Sequence, residues 1–274
     1  MSNALFLHPY HSDLAAVSAS SWVADLPPAN VQTSDLSAKW RSLAGSGTSL
    51  DFDFGAGGIA ATAAAVVDLN LAAAGTWFIG ASNASSANAR LGGGMIAASN
   101  TSPWVGGKTT KPAWAHHIAF ARWANVTSFR YWSIVFTDAS LTYIEASRAM
   151  IGVAFQPSSN LDQNVGVSFG STDQQERTGY NRLLLDRRGN TDRQFDLVYS
   201  ALDQDEAEDG ASELARLRGN GGDFLFSLDP DHPMRFAAWT AQCVFAGRVR
   251  KDGVPQFKNG KQCWAFRASL LELV

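Results

Sequence analysis

Paired acidic side chains are the first candidates for chemistry in this sequence. Asp51 and Asp53 stand two residues apart in SLDFDFG, so their carboxylates share one face if this stretch is a strand. Two carboxylates about 5–9 Å apart can hydrolyse a glycosidic bond. A solvent-facing strand surface is the favoured interpretation, because the apolar side chains of Leu50, Phe52 and Phe54 alternate with the acids.

Three further polar clusters could hold a metal ion. His116 and His117 are adjacent, but neighbouring residues of a strand point to opposite faces and cannot easily share one ion. The stretch SLDPDHP offers Asp229, Asp231 and His232, fewer oxygen ligands than the roughly six that calcium takes, and turn chemistry is favoured. The acids of DQDEAEDG, residues 203–210, suit the start of a helix, where they complement its dipole. We predict no metal ion and no cofactor.

Strong motifs of catalysis are missing from the sequence. It has no HExxH, no GxxxxGK[ST] loop and no GxGxxG fingerprint. The stretch GVSFG, residues 166–170, matches GxSxG, but it lies in a predicted strand and is not expected to be a nucleophile elbow. The five histidines leave few candidates for a base in a catalytic triad. We therefore predict no catalytic residue and no enzyme activity. A hydrolase is the least favoured of the three functions considered for this sequence; the other two, a structural protein and a carbohydrate-binding module, are described below.

Tryptophan is the most informative residue type for binding. The chain has 9 Trp, while only 17% of its residues are charged. Trp104, Trp114 and Trp123 lie in loop-like sequence, where burial in a core is least expected. Aromatic side chains are enriched at interface hot spots and can also stack on sugar rings. These three residues are the predicted interface or sugar-stacking residues.

Charge and hydropathy exclude several classes of partner. The net charge of -3 and the pI near 5.9 give no positive field that would hold nucleic acid. The longest apolar stretch, residues 59–67, is far shorter than the roughly 20 residues that span a bilayer, so no membrane partner is expected. The N-terminal sequence does not read as a signal peptide, which predicts synthesis in a cytoplasm. Cys243 and Cys263 are expected to be buried free thiols.

The elements that must position these residues are mostly strands. Period-two patterns and glycine turns predict strands up to about residue 80. The alanines of IAATAAAVVDLNL, residues 59–71, would also suit a helix, but Val66, Val67, Leu69 and Leu71 favour strands. Small polar residues from 82 to 111 predict long surface loops. The stretch QPSSNLDQN marks the best domain boundary, which gives domains 1–156 and 157–274. In the second domain, spacings of four, three and three predict one helix from Asp205 to Arg218, closed by Gly219.

A run of charges in the second domain is expected to form a solvated turn. Asp186, Arg187, Arg188, Asp192 and Arg193 bracket a Gly-Asn pair, with apolar residues at alternate positions on both sides. This pattern predicts a β-hairpin. Because acids and bases alternate, a ligand site is the less favoured interpretation.

Two stretches resemble known families. The hairpin, the helix and then GGDFLFSLDPDHP resemble the β-sandwich domain of tail-tip proteins (distal tail and minor tail proteins) of long-tailed bacteriophages. In the first domain, Trp40-Arg41, the strand over 50–55, Asn70-Leu71 and Tyr131-Trp132 hold places similar to those in discoidin-like (galactose-binding-like) jelly rolls. The implied fold is mainly β: an N-terminal discoidin-like jelly-roll sandwich, then a second β-sandwich with one α-helix.

The resemblance implies a virion structural protein of a phage tail tip or baseplate. Copies of the chain would form an oligomeric ring that connects the tail tube to the baseplate hub or to fibres, and the protein would be located in the virion. The alternative hypothesis is a carbohydrate-binding module of a fibre or adhesion protein, with a glycan as partner. Self-association supports the first hypothesis, and retention of a monomer on glycan supports the second.

Overall fold

The computed structural model describes residues 3–72, 74–101, 117–124, 127–159, 161, 165–171, 174–177, 183–186, 191–219, 221–230, 240–258 and 261–273. The chain divides into two compact units. One contains Met1–Pro157 with Phe224–Gln242, and the other contains Ser158–Asp223 with Cys243–Val274. The sequence assigned everything after residue 156 to the second domain, whereas residues 224–242 belong to the first unit.

Strands dominate the described residues. They are β1 (Leu5–Tyr10), β2 (Ala16–Ala19), β3 (Trp40–Arg41), β4 (Ser46–Asp53), β5 (Ile59–Ala60), β6 (Ala63–Val67), β7 (Thr76–Ser82), β8 (Met95–Thr101), β9 (Ile118–Arg122), β10 (Ser128–Phe129), β11 (Tyr131–Thr137), β12 (Glu145–Ala146), β13 (Arg148–Phe155), β14 (Gly166–Ser171), β15 (Gln174–Arg177), β16 (Leu183–Asp186), β17 (Thr191–Leu202), β18 (Phe224–Ser227), β19 (Thr240–Phe245), β20 (Arg250–Lys258) and β21 (Lys261–Glu272).

Helical segments are short. Ser12–Leu14 and Pro28–Gln32 are single 3-10 turns, and α1 spans Ser86–Arg90. Helix α2 consists of a π-helical part, Glu206–Ser212, that continues into an α-helical part, Glu213–Arg218. In the part of the chain that the structure describes, no helix is both long enough and apolar enough to cross a bilayer.

The first unit is built from two antiparallel sheets. One has the strand order β2-β4-β11-β7-β8, and strands β18, β1, β13, β6 and β9 lie side by side in the other. Between β4 and β13 the chain crosses repeatedly from one sheet to the other, which is the winding of a jelly roll. The main hydrophobic core contains side chains from both sheets, so it lies between them.

The strand patterns follow from which faces are buried. Leu50 and Phe52 of β4 alternate with polar residues and point into the core. Strand β6 reads AAAVV and is buried at every position, because a second apolar cluster covers the opposite face of its sheet. A strand that is buried on both faces is expected to be a continuous apolar run.

The region from 82 to 111 differs from its prediction as a long loop. Its described part contains α1 and β8, which pairs with β7. The Ser85 hydroxyl accepts the backbone N–H of Asn88 and caps α1. A Cβ on Gly80 would stand 2.1 Å from the carbonyl oxygen of Ala89, so only glycine lets this helix lie so close to the sheet. Small residues here serve packing as well as turns.

Strand β17 organises the second unit. It pairs with β14 and β21, and β20 pairs with the other edge of β21. The predicted hairpin is wrong in its pairing, because Leu183–Asp186 pairs with Gln174–Arg177 instead of with β17. The prediction that Arg193 lies in a solvated turn is also wrong, because this side chain is buried and paired with Glu272 of β21. Residues 187–190 lie outside the described residues.

Helix α2 confirms the prediction from its spacing. Ala207, Ala211 and Leu214 are buried, whereas Leu217 is 46% exposed. Gly219 ends the helix with φ +49, the conformation that favours glycine. At the start of the helix, the Asp203 carboxylate accepts the backbone N–H of Glu206 at 2.8 Å, so these acids cap the helix. The predicted fold class is therefore confirmed: mainly β, a jelly roll first, then a second β unit with one helix.

Candidate functional site

A two-stranded ribbon at one end of the jelly roll presents the most distinctive surface of the first unit. Strand β3 pairs with β12, with Arg41 opposite Glu145 and Trp40 opposite Ala146. The pairing continues through Ser42, whose backbone N–H donates to the carbonyl oxygen of Ile144 at 2.9 Å. The ribbon therefore comprises residues 40–43 and 143–146.

Side chains alternate strictly across this ribbon. Trp40, Ser42, Ile144 and Ala146 are buried, and Trp40 and Ile144 belong to the main core. The intervening side chains, which are those of Arg41, Leu43, Tyr143 and Glu145, point the other way and reach solvent. We call these four outward side chains the ribbon face.

A third chain segment borders the ribbon face. The backbone N–H of Val23 donates to the carbonyl oxygen of Arg41 at 2.9 Å, and the backbone N–H of Leu43 donates to the Ser21 hydroxyl at 3.2 Å. Trp22 lies between these two contacts. It is 45% exposed, while Leu43 is 67% and Tyr143 37% exposed, so exposed apolar residues lie on the ribbon face and in the segment beside it.

Charged hydrogen bonds fix the centre of the ribbon face. The Nε and Nη2 atoms of Arg41 donate to Oε2 of Glu145 at 2.8 and 2.5 Å. Nζ of Lys39 lies 3.1 Å from Oε1 of Glu145 and 2.9 Å from Oδ2 of Asp68. The guanidinium carbon of Arg41 stands 4.4 Å from the centroid of the Tyr143 ring. The arginine is thus held between a carboxylate and an aromatic ring.

These contacts keep the cations charged. Burial lowers the pKa of Lys39, but the hydrogen bonds and charges of Asp68 and Glu145 outweigh it and raise the pKa above its ordinary value. The hydrogen bond to Glu145 likewise raises the pKa of Arg41. Both side chains are therefore cationic at neutral pH.

Backbone contacts position the charged network. The Asn70 amide donates to the carbonyl oxygen of Tyr143 at 3.2 Å and accepts the backbone N–H of Glu145 at 2.8 Å. Asp68, which directly follows β6, has φ +58, and it is the non-glycine residue with positive φ among the described residues. Positive φ is costly for residues with a Cβ and tends to occur where structure serves a function.

The arrangement suits the binding of a ligand. The ribbon face offers fixed N–H donors next to aromatic and aliphatic surface, the combination that orients a small polar ligand with an apolar side. The carboxylates at this surface, those of Glu145 on the ribbon face and of Asp68 beside it, are bound to Lys39 or Arg41.

Of the three predicted tryptophans, the structure describes one. Trp104 and Trp114 lie outside the described residues. Trp123 is partly buried: its indole N–H donates to the carbonyl oxygen of Ala61 at 2.7 Å, and its ring stacks on Trp132 with centroids 5.6 Å apart. It follows β9 at the end away from the ribbon. Its role in an interface or in sugar stacking stays a prediction.

The pair Asp51 and Asp53 occupies one face of β4, but the prediction of a solvated face is wrong for Asp51. Its carboxylate is buried beneath α1, where it binds the Arg90 guanidinium and accepts the Ser133 hydroxyl at 2.7 Å. Asp53 is 33% exposed and pairs with Arg130. The sequence alternation correctly identified the shared face but could not show that a helix covers half of it.

The remaining polar clusters do not form a metal centre within the residues described. No group of three or more His, Cys, Asp or Glu side chains converges there. His117 lies beside the carbonyl oxygen of Leu69, at 3.1 Å from Nδ1, whereas His116, Asp231 and His232 lie outside the described residues. Cys243 and Cys263 are buried and are not joined by a disulfide bond, as predicted.

Most residues of this surface are not predicted from the sequence. Trp40-Arg41 and Asn70-Leu71 stand out only through the discoidin resemblance, and Tyr143, Glu145, Lys39 and Asp68 do not stand out at all. One local signal was present. In KWR (39–41) and IEA (144–146), charged residues alternate with apolar ones, which is the pattern of a short strand with one face outward.

Comparison with known proteins finds similarity in structure alone. No family model matches this sequence, and no curated protein matches it. About half of the chain is similar to solved carbohydrate-binding modules, which are discoidin-like domains. One is the family 32 module from C. perfringens NanJ in complex with galactose, with 11% identity and a TM-score of 0.39, covering 54% of this chain and 98% of that one.

Two other similar structures have comparable scores. The family 32 module of AlyQ, in complex with 4,5-unsaturated mannuronic acid, has 22% identity and a TM-score of 0.36 and covers 50% of this chain and 92% of that one. A chitosan-binding module from a Paenibacillus sp. IK-5 chitosanase/glucanase has 14% identity and a TM-score of 0.36, covering 53% and 98%. Nothing in these comparisons indicates a phage tail-tip protein.

Proposed function

We propose that the first unit is a carbohydrate-binding module and that the ribbon face binds the glycan. The observation that carries the proposal is the Arg41 guanidinium, which is fixed by Glu145, stacked on Tyr143 and bordered by the exposed Trp22 and Leu43. The structural similarities, with TM-scores of 0.36 to 0.39, carry no part of it.

Sugar chemistry explains why this surface fits a glycan. A pyranose ring has hydroxyl groups around its edge and an apolar patch of C–H groups on its face. Hydroxyl oxygens accept hydrogen bonds from a guanidinium and an ammonium, which Arg41 and Lys39 provide. The C–H patch packs against an aromatic ring such as that of Tyr143 or Trp22. A preformed arrangement of this kind lowers the entropic cost of binding.

We also propose that binding occurs without catalysis. The carboxylates near this surface are committed to cations: Glu145 binds Arg41 and Lys39, and Asp68 binds Lys39. Because a general acid must be protonated at working pH, carboxylates held by cations are poor candidates.

Glycan binding is tested by comparing two matched arginines of the full chain. Arg130 also pairs with a carboxylate and lies over a tyrosine, Tyr131, but at the opposite end of β11. Glycan-array screening followed by titration calorimetry should show that Arg41→Ala and Tyr143→Ala each weaken binding by at least about tenfold, the effect of losing about 1.4 kcal/mol. Arg130→Ala should retain the wild-type affinity.

Two results would contradict the proposal. One is a folded wild-type chain that is retained on no glycan, and the other is an equal loss of affinity in the Arg41 and Arg130 variants. The tail-tip hypothesis is tested separately by light scattering. That hypothesis predicts a ring of copies in solution. No observation in the described structure supports the hypothesis.

A further inference from the structure

The charged groups on the ribbon face, Arg41 and Glu145, and those beside it, Lys39 and Asp68, lie at different depths. The side chains of Arg41 and Lys39 are 37% and 31% exposed, whereas those of Glu145 and Asp68 are each 14% exposed. The cluster is formally neutral, with two cations and two carboxylates. Because the carboxylates lie deeper, the charge that faces solvent is positive.

Hydrogen bonding strengthens this asymmetry. Oε1 of Glu145 is bound by Lys39, and its Oε2 is bound by Arg41. Oδ2 of Asp68 accepts from Lys39 and from the Ser147 hydroxyl at 3.2 Å. Three of the four carboxylate oxygens, Oε1 and Oε2 of Glu145 and Oδ2 of Asp68, therefore accept hydrogen bonds from within the protein.

The donors, by contrast, are only partly used. Within the part of the chain that the structure describes, Arg41 binds Glu145 through Nε and Nη2. Its Nη1 group carries two further N–H donors, and the ammonium of Lys39 has three N–H donors for two carboxylate partners. The ribbon face thus presents more donors than acceptors.

We infer that the preferred ligand of the ribbon face is a carboxylate-bearing sugar, such as a uronic acid or a sialic acid. This inference rests on the proposed glycan-binding function and specifies its substrate class. The ligand carboxylate would accept hydrogen bonds from Arg41 and Lys39, and the ring of the same or the next sugar would pack on Tyr143 or Trp22. A guanidinium binds a carboxylate with two parallel hydrogen bonds when its outer edge is open.

A neutral sugar would use the same surface less well. Each sugar hydroxyl needs an acceptor for its own proton as well as a donor, and the carboxylates of Glu145 and Asp68 lie deeper and already accept from Arg41 and Lys39. A ligand carboxylate has only acceptors, so it matches the excess of donors. Moderate exposure of both cations means that salt should weaken this part of the affinity.

The test compares one sugar with and without its charge. Titration calorimetry of the full chain with tri-galacturonic acid and with its fully methyl-esterified form changes only the carboxylates. The acid is expected to bind at least about tenfold more tightly at low salt, and the difference should shrink as salt rises. A sialylated trisaccharide and its sialyl methyl ester form the second arm and distinguish the source of the carboxylate.

Three variants locate the effect. Lys39→Met and Arg41→Lys should each reduce the preference for the acid over the ester. Arg41→Lys keeps the positive charge, so it can be measured even if Arg41→Ala does not fold. Arg130→Ala should leave the preference unchanged. Circular dichroism and thermal melts establish that each variant is folded before its affinity is interpreted.

The outcomes separate this inference from the proposed function. Equal affinity for acid and ester in both arms would overturn the acidic-sugar inference and leave glycan binding intact. Failure to bind any glycan, charged or neutral, would overturn both. Equally tight binding of poly-glutamate would also overturn the inference, because the surface would then recognise charge without a sugar ring.

Discussion

The two ends of the jelly roll contain the same three groups in different surroundings. At one end Arg130 pairs with Asp53 and lies 4.7 Å from the ring centroid of Tyr131, and at the other Arg41 pairs with Glu145 and lies 4.4 Å from that of Tyr143. An arginine between a carboxylate and a tyrosine is therefore not distinctive by itself. Such a trio can serve only to fasten a strand end.

What differs is what surrounds each trio. Glu145 has a second cation, Lys39, and its side chain is 14% exposed, whereas the Asp53 side chain is 33% exposed. Asp68, which has a positive φ, and exposed apolar residues also lie near Arg41. The Arg41 trio is therefore distinguished from the Arg130 trio by its surroundings: a second cation, further N–H donors and exposed apolar residues.

The largest effect on stability is expected where an arginine–carboxylate pair is buried. In the second unit Arg193 and Glu272 are 2% and 1% exposed and hydrogen-bonded to each other. Glu272→Ala should lower the free energy of unfolding by about 3–5 kcal/mol, because it leaves a buried charge without its partner. Asp53→Ala, which breaks an exposed pair, should change it far less. Urea denaturation measures both, and similar losses would show that burial is not the deciding factor.

An intermediate effect is expected from the asparagines that support the two trios. The side chain of Asn70 makes two hydrogen bonds to the backbone of the ribbon, whereas the side chain of the exposed Asn83 accepts one, from the backbone N–H of Arg130. Asn70→Ala should lower the free energy of unfolding by about 1–3 kcal/mol, because it leaves backbone groups unsatisfied. Asn83→Ala should cost less. Thermal melts of the two variants check the order, and the reverse order would mean that the ribbon does not depend on Asn70.

The smallest effect is expected from pH, with opposite signs at the two ends. The hydrogen bond from Arg130 lowers the pKa of Asp53 below its ordinary value of 3.8, so this contribution is present above pH 3.8 and is lost as pH falls through the lowered pKa. The pKa of Lys39 is raised above 10.5, so its contribution is present below pH 10.5 and is lost as pH rises through the raised pKa.

NMR titration of the Asp53 carboxyl and the Lys39 ammonium measures both transitions. Arg130→Ala should return the pKa of Asp53 towards 3.8, and Glu145→Gln should lower that of Lys39. A Lys39 pKa that does not respond to Glu145→Gln would contradict the network.

The sequence predicts the strands of the first unit better than the candidate site. Alternation identifies β4, and the apolar run AAAVV identifies β6, because burial of one or both faces leaves a local mark. The ribbon face leaves a weaker mark, since Arg41 and Glu145 are 104 residues apart and meet only through the pairing of β3 with β12. A contact between distant segments is invisible to local periodicity.

The errors in the second unit have a similar origin. The charge of Arg193 suggests solvent, but its partner Glu272 is 79 residues further along the chain. The apolar residues of β16 and β17 suggest one hairpin, although each strand pairs with a different neighbour. Helix α2 was predictable because its caps and its buried face are all encoded within one short segment.

The path of the chain constrains how the first unit can be isolated. Strand β18, contributed by a segment that returns from the second unit, pairs with β1, and Phe226 packs against Phe6 with ring centroids 5.2 Å apart. A recombinant fragment truncated at Pro157 would therefore leave one edge of β1 unpaired and would remove Phe226 from Phe6. An unpaired strand edge promotes aggregation. A shorter soluble probe would need β18 grafted back through a designed linker or by circular permutation.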